Sequence, residues 1–199
     1  RHYDRQNLKA PASATPEKWQ EILTNLTLNE LFEELGGKTK IYLDSDLKEE
    51  YSGWALHPIE GAGLFPRQIP QLCISMQYQN KGHITHAMVY EPFNDLLFYA
   101  SNGEGSFVNN VRCRTKAITN PALYGISSGN LSVHEHQIMA HLPIKNIATL
   151  HIPCPSLAGA FLAAGKIDAL IADAIPEALY GTLALFIKES GGLACDWSG

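Results

Sequence analysis

Two side chains able to bind a metal or move a proton stand close together in Trp54-Ala55-Leu56-His57-Pro58-Ile59-Glu60-Gly61-Ala62-Gly63. The neutral nitrogen of His57 suits zinc or manganese far better than magnesium, which demands hard oxygen ligands. Three roles are open to His57: a zinc or manganese ligand, a general base, or a polar residue with no ligand, the commonest fate of a lone histidine. Glu60 supplies a carboxylate. The acidic stretch around Asp44, Asp46, Glu49 and Glu50 lacks the glycine and spacing of a calcium loop and reads as solvated. His134-Glu135-His136 sits in polar sequence and reads the same way. His83 and His86, three apart on a strand, point to opposite faces, which disfavours chelation. Cys73, Cys113, Cys154 and Cys195 form no C-x-x-C pair. They read as reduced thiols in a cytoplasmic protein, and Cys73 and Cys195, in apolar runs, as small hydrophobes.

These residues need a scaffold. Thr15 caps a first helix with Trp19, Ile22, Leu23 and Leu26 on one face. Thr27-Leu28-Asn29-Glu30 is a capping box for a second, striped by Leu28, Leu31, Phe32 and Leu35 and stopped at Gly36-Gly37. Ile41-Tyr42-Leu43 is strand-like and empties into the acidic stretch. From Gln71 to Arg114 the pattern is an antiparallel meander, turning at Lys81-Gly82, at Glu91 to Asp95 and at Asn109-Asn110. It needs helices on one face to bury its apolar side. Strands at Ala122–Ile126, Ile147–Leu150 and Ile167–Ala172 then alternate with helices at Pro155–Gly165 and Glu177–Ser190.

A chain of 199 residues, 45% hydrophobic and 18% charged, suits one globular unit. The sequence predicts a single domain over 1–199, with a β-meander half (1–118) carrying the N-terminal helices and an α/β half (119–199). A formal charge of −5 argues against a nucleic-acid partner. No apolar run approaches the roughly 20 residues that cross a bilayer, so no membrane role is expected. Arg1-His2-Tyr3-Asp4-Arg5 lacks the apolar core of a secretory signal, and a start without Met suits a piece of a longer product.

The loop at 54–63 resembles the W-x-x-D-P-[IL]-D-G-T loop of the inositol monophosphatase family, magnesium-dependent phosphatases of small phosphate monoesters. The resemblance continues in order. Val89-Tyr90-Glu91-Pro92 is similar to the family's V-Y-[DN]-P turn, and Leu97 to Asn109 resembles its L-[FY]-x-A-x-x-G-x-G-A-x-x-N-G hairpin. Ser156-Leu157-Ala158 and Ala163 to Asp168 resemble S-A-A-L and A-x-G-x-x-D. Ile187 to Leu193 and Asp196-Trp197-Ser198-Gly199 resemble V-x-E-A-G-G-x-[VI] and D-x-x-G. Residues 1–53 match weakly, and the family's N-terminal helix and its C-terminal strand and helix find no counterpart. The implied fold is α/β (α+β layered), with inositol-monophosphatase/fructose-bisphosphatase-like alternating helix and sheet layers.

The resemblance also implies a site, and the departures fall on it. Family members hold two or three magnesium ions with a strand-end Glu, the two loop Asp and an Asp from a W-D pair opening a late helix. The strand-end position falls near Asp44, with Glu49 or Glu50 as alternatives. The loop positions are His57 and Glu60. The W-D pair is Ala178-Leu179, and Leu179 binds no metal. The threonine that orients the attacking water is Ala62, and its N-terminal Asp partner has no convincing counterpart. Gly61 and Ala62 keep the backbone N–H groups by which the family holds phosphate, although glycines there also serve a tight turn. No catalytic residue is assigned; the metal candidates are Asp44, His57 and Glu60, for manganese or zinc rather than magnesium. Three functions compete: a catalytically impaired binding or regulatory subunit, a metal-dependent phosphatase of small phosphate monoesters (inositol or sugar phosphate, or phosphonucleotide) with a rebuilt site, and an oligomeric scaffold. The expected partners are a small phosphorylated molecule and a second copy, since family members commonly dimerise through the β-rich half.

Overall fold

The computed structural model describes residues 14–34, 41–43, 52–118, 122–127, 136–137, 140–141, 147–173 and 175–196. Helix α1 spans Pro16–Glu34 without a break, where the two capping signals predict two helices. Thr15 does cap it, accepting the Lys18 N–H at 3.3 Å. Thr27 starts nothing, because no glycine or proline follows Pro16 within the helix. Trp19, Leu23 and Thr27 recur every four residues and are all buried. A continuous buried stripe thus outweighs a capping box whose threonine never reaches solvent. The stop expected at Gly36-Gly37 lies outside the described residues.

The meander forms as its turns foretell. Strand β1 (Ile41–Leu43) pairs in parallel with β2 (Gly53–Leu56). Antiparallel β3 (Ile74–Asn80), β4 (His83–Glu91), β5 (Leu96–Ser101), β6 (Gly105–Val108) and β7 (Val111–Cys113) follow in chain order, giving seven strands. The β6–β7 turn places Asn109 and Asn110 at φ 46° and 65°, the left-handed pair that matches strand twist. A second, three-stranded sheet is wholly parallel. It orders β10 (Ala169–Ala172), β8 (Ala122–Ser127) and β9 (Ile147–His151) with β8 in the middle.

Helices α2 (Pro155–Ala163) and α3 (Glu177–Glu189) make the layered core. Ala87, Val89, Phe98 and Ala100 of the large sheet meet Leu157 and Ala160 of α2 and Leu185 and Phe186 of α3. Ala158 of α2 joins Ile152 and Ile167 against the small sheet, so α2 lies between the two sheets. At the α2–α3 crossing, a side chain on Gly159 would meet the terminal methyl of Leu183, which would have to shift to admit it. The hairpin loop is tied to the end of α3. The Gly103 and Gly105 N–H groups donate to the two Glu189 carboxylate oxygens at 2.9 and 3.0 Å. The result is a mixed α/β layered fold with one end of α1, the β2–β3 connection and the first turns of α2 and α3 brought together.

Candidate functional site

The loop from Leu56 to Gly61 is held on several sides. Backbone pairing with the start of β3 continues past β2, with the His57 N–H donating to Ser75 O at 3.0 Å. Glu60 and Cys73 exchange two backbone hydrogen bonds of 3.2 Å each. From α1, Thr24 Oγ1 accepts the Ile59 N–H (3.0 Å) and Gln20 Nε2 donates to Ile59 O (3.1 Å). Gly61 has φ 76°, and any side chain there would collide with the Gln71 carbonyl and crowd Cys154 Sγ. Ala62 opens a 3-10 helix, Ala62–Arg67. Its methyl packs among Trp19, Leu23, Ile59 and Leu72 rather than lining an open cleft.

His57 points the other way, toward α3. It is 1% exposed, and its Nε2 lies 3.2 Å from Thr182 Oγ1. The threonine hydroxyl donates onward to Gln77 Oε1 at 2.9 Å, so the proton between His57 and Thr182 belongs to His57 Nε2. Leu179, the position implied for the late-helix aspartate, is buried one helical turn before Thr182 and so shares its face of α3.

Glu60 is buried too, and both its oxygens are engaged. Oε1 accepts the Ser75 hydroxyl at 3.2 Å, and Oε2 accepts the Ser156 backbone N–H at 2.9 Å. Ser156 lies in the first turn of α2, whose N-cap, Cys154, makes no side-chain cap. Glu60 therefore caps α2 from a distance in sequence, where the helix dipole favours an anion. Burial nevertheless raises the Glu60 pKa, against the lowering effects of Ser156, Ser75 and nearby His57. Cys73 and Cys154, both fully buried, flank the same carboxylate. A Glu60 oxygen and the two sulfurs lie within 4.8 Å of one another. Burial, then the neighbouring Cys154 and Glu60, hold the Cys73 thiol well above its ordinary pKa.

Of the sequence-derived candidates, His57, Glu60, Gly61 and Ala62 share one loop, with His57 and Glu60 anchored to different helices. Asp44, with Glu49 and Glu50, lies outside the described residues. His86 is an aromatic neighbour, edge-on to Tyr78 with ring centroids 5.9 Å apart. Sequence reasoning missed Thr182, Gln77, Ser75 and Ser156. Ser75 and Gln77 did carry a signal, since polar residues alternate through β3 on a face that proves buried. The proximity of Cys73 and Cys154 carried none, since it depends on how α2 packs against β3.

The sequence matches the profile described as "Inositol monophosphatase family" over residues 6–199. The chain belongs to that family. Similar proteins include a Nus factor SuhB of Pasteurella multocida, 26% identical over 78% of the chain and 59% of the relative. An inositol-1-monophosphatase of Rhizobium meliloti is 28% identical over 73% of the chain and 57% of the relative. The chain thus spans less than two thirds of the curated relatives it matches. Among solved structures, SuhB from Bartonella henselae superposes with a TM-score of 0.71 at 21% identity, covering 86% of this chain and 74% of that one. An IMPase from Thermotoga maritima gives 0.70 at 21% identity, covering 92% and 70%. These likenesses establish the inositol monophosphatase fold. Among the described residues, no helix is long and apolar enough to cross a membrane.

Proposed function

We propose that this inositol monophosphatase family member is a binding or regulatory subunit with impaired magnesium-dependent catalysis. The observation that carries the reading is the pair His57 and Leu179. One is hydrogen-bonded into the Thr182–Gln77 chain, and the other is a buried hydrocarbon where a carboxylate is implied. Magnesium takes near-octahedral oxygen ligands. Of the three ligand positions that are described, only Glu60 offers such an oxygen. The described residues do not fit a magnesium site, and no catalytic step is derived through one. Ala62 adds to this, because its buried methyl cannot orient a water. Gly61 and Ala62 keep backbone donors for a small phosphorylated ligand, a contact that needs no metal and no side chain. Some matched relatives carry the name Nus factor and others inositol-1-monophosphatase, so the family's names span a factor and an enzyme. For this chain we favour a protein partner, in the cytoplasm and as a homodimer, with the net charge of −5 against a nucleic-acid one.

The second reading is a phosphatase with a rebuilt manganese or zinc site formed by Asp44, His57 and Glu60. Retention of polar, metal-competent residue types at these three positions favours it. Phosphate release from a panel of small phosphate monoesters, run with magnesium, manganese and zinc, decides between the readings. Calorimetric titration with magnesium accompanies it. Neither release nor magnesium binding is expected. Release above the metal-only blank under any of the three ions would sink the regulatory reading, and release with manganese or zinc alone would establish the rebuilt site.

A further inference from the structure

The loop's inner side holds a second donor set that the phosphatase frame does not use. Cys73 begins the β3 segment, Cys154 is the N-cap of α2, and Glu60 reaches between them. The two sulfurs and a carboxylate oxygen all lie within 4.8 Å of one another, in the fully buried interior. We propose that Glu60, Cys73 and Cys154 form a structural zinc site that ties the 57–61 loop to the first turn of α2.

The donor chemistry selects the metal. Two thiolates and one carboxylate make a soft-to-borderline set, which suits zinc and excludes magnesium and calcium. Zinc takes four ligands in tetrahedral array, and sulfur donors around it sit about 2.3 Å from the metal. Three donors within 4.8 Å of one another can close on one ion with small side-chain rotations. The fourth position is left to the second Glu60 oxygen or to a water, since the neutral hydroxyl of Ser156, buried beside the Glu60 carboxylate that its N–H holds, is not an ordinary zinc donor. The second lone pair of each Glu60 oxygen stays available beyond the bonds to Ser75 and Ser156. Binding replaces the two thiol protons with one Zn2+, so two protons leave to solvent and no electron is transferred. Because the three ligands come from three separate segments and none is exposed, the ion enters as the chain folds.

The packing around the cluster fits a dedicated joint. Gly61 brings its backbone beside Cys154 Sγ at a point where any side chain would crowd the sulfur. The isolated backbone bridge between Glu60 and Cys73 fixes two of the ligands on facing segments. The site does not depend on whether the chain hydrolyses phosphate esters, so the two proposals fail separately.

The test is metal analysis of the full chain after zinc loading and dialysis, with cobalt substitution as the spectroscopic readout. Near-stoichiometric zinc is expected, together with thiolate-to-cobalt charge-transfer absorption in the near ultraviolet and the intense visible bands of tetrahedral cobalt. Cys73→Ser and Cys154→Ser should each lower zinc affinity by at least about 100-fold, since even loss of an outer-sphere partner costs on the order of 10- to 100-fold. The double variant Cys113→Ser/Cys195→Ser should bind as the parent does, because those thiols lie elsewhere. If the single serine variants misfold, the cobalt spectrum of the Cys113→Ser/Cys195→Ser chain still decides, since only Cys73 and Cys154 remain to supply thiolate bands. Absence of zinc, a cobalt spectrum without thiolate bands in that chain, or a Cys73–Cys154 disulfide in the protein's intact mass would each overturn the site.

Discussion

Replacing Thr182 with valine probes whether His57 is a committed structural residue. The side chains are nearly the same size, so the change removes a hydroxyl and little else. That hydroxyl donates to Gln77 Oε1 and accepts from His57 Nε2, and all three side chains are buried. Each buried polar group that loses its bond costs about 1–3 kcal/mol. Two such losses near the low end of that range, about 1.5 kcal/mol each, offset by no more than about 1 kcal/mol for the added methyl, leave a net destabilisation of about 2–3 kcal/mol. For a chain of this size, each kcal/mol moves the melting midpoint by about 2–4 °C, so a fall of roughly 5–10 °C is expected. Thermal unfolding by circular dichroism reads this directly. Combining Thr182→Val with Gln77→Met should recover about 1 kcal/mol, because the glutamine no longer waits for a donor. A single variant that melts with the parent would refute the reasoning. It would mean that the Thr182 bond contributes little to holding His57.

Two other changes test the loop and its neighbourhood. Gly61→Ala forces a side chain onto φ 76° and into the Gln71 carbonyl. The left-handed backbone costs about 1–2 kcal/mol and the overpacking about 1–3 more, so urea titration should show a loss of about 3 kcal/mol; a loss under about 1 kcal/mol would contradict the tight turn. Glu189→Ala removes the acceptor of the Gly103 and Gly105 N–H groups at the end of α3. With the carboxylate only half-buried, about 1 kcal/mol is expected, and amide exchange at Gly103 and Gly105 should speed up while exchange at Val89 stays unchanged; uniform exchange across all three would count against the clamp.

Much of the fold was legible because its cues are local. Lys81-Gly82 and Asn109-Asn110 announced turns through residues that tolerate positive φ, and the structure places left-handed backbone at all four. The alternation through β3 and β4 and the spacing Leu179, Leu183, Phe186 likewise follow from short-range geometry. The error at α1 came from a local cue overruled by a longer one. Thr27 looks like a cap until Trp19 and Leu23 place it on the buried stripe. That His57, Glu60, Gly61 and Ala62 share one loop follows from their adjacency in sequence, but the orientation of their side chains does not. Nothing along the chain says that His57 turns toward Thr182 on α3 while Glu60, three residues on, turns toward Ser156 on α2. Those directions are set by the approach of two helices, which meet at Gly159 of one and Leu183 of the other.

The altered positions make sense together as a loss of charge. The family's loop and late helix would place three carboxylates here, and without a cation they would repel one another inside a low-dielectric core. In this chain the three described positions carry one carboxylate, one imidazole and one hydrocarbon. Leu179 carries no charge, and His57 stands as an imidazole hydrogen-bonded to Thr182 through Nε2. The remaining carboxylate, Glu60, has the first turn of α2, where the Ser156 N–H and the helix dipole supply part of the positive charge that a metal would have given. Two neutral hydroxyls, from Ser75 and Thr182, add hydrogen bonds to the two retained polar side chains. A loop rebuilt in this way can fold without magnesium, which one carrying three unpaired carboxylates could do only at the cost of protonating them. On the regulatory reading proposed above, the same substitutions would let the family's scaffold stay intact without a bound cation.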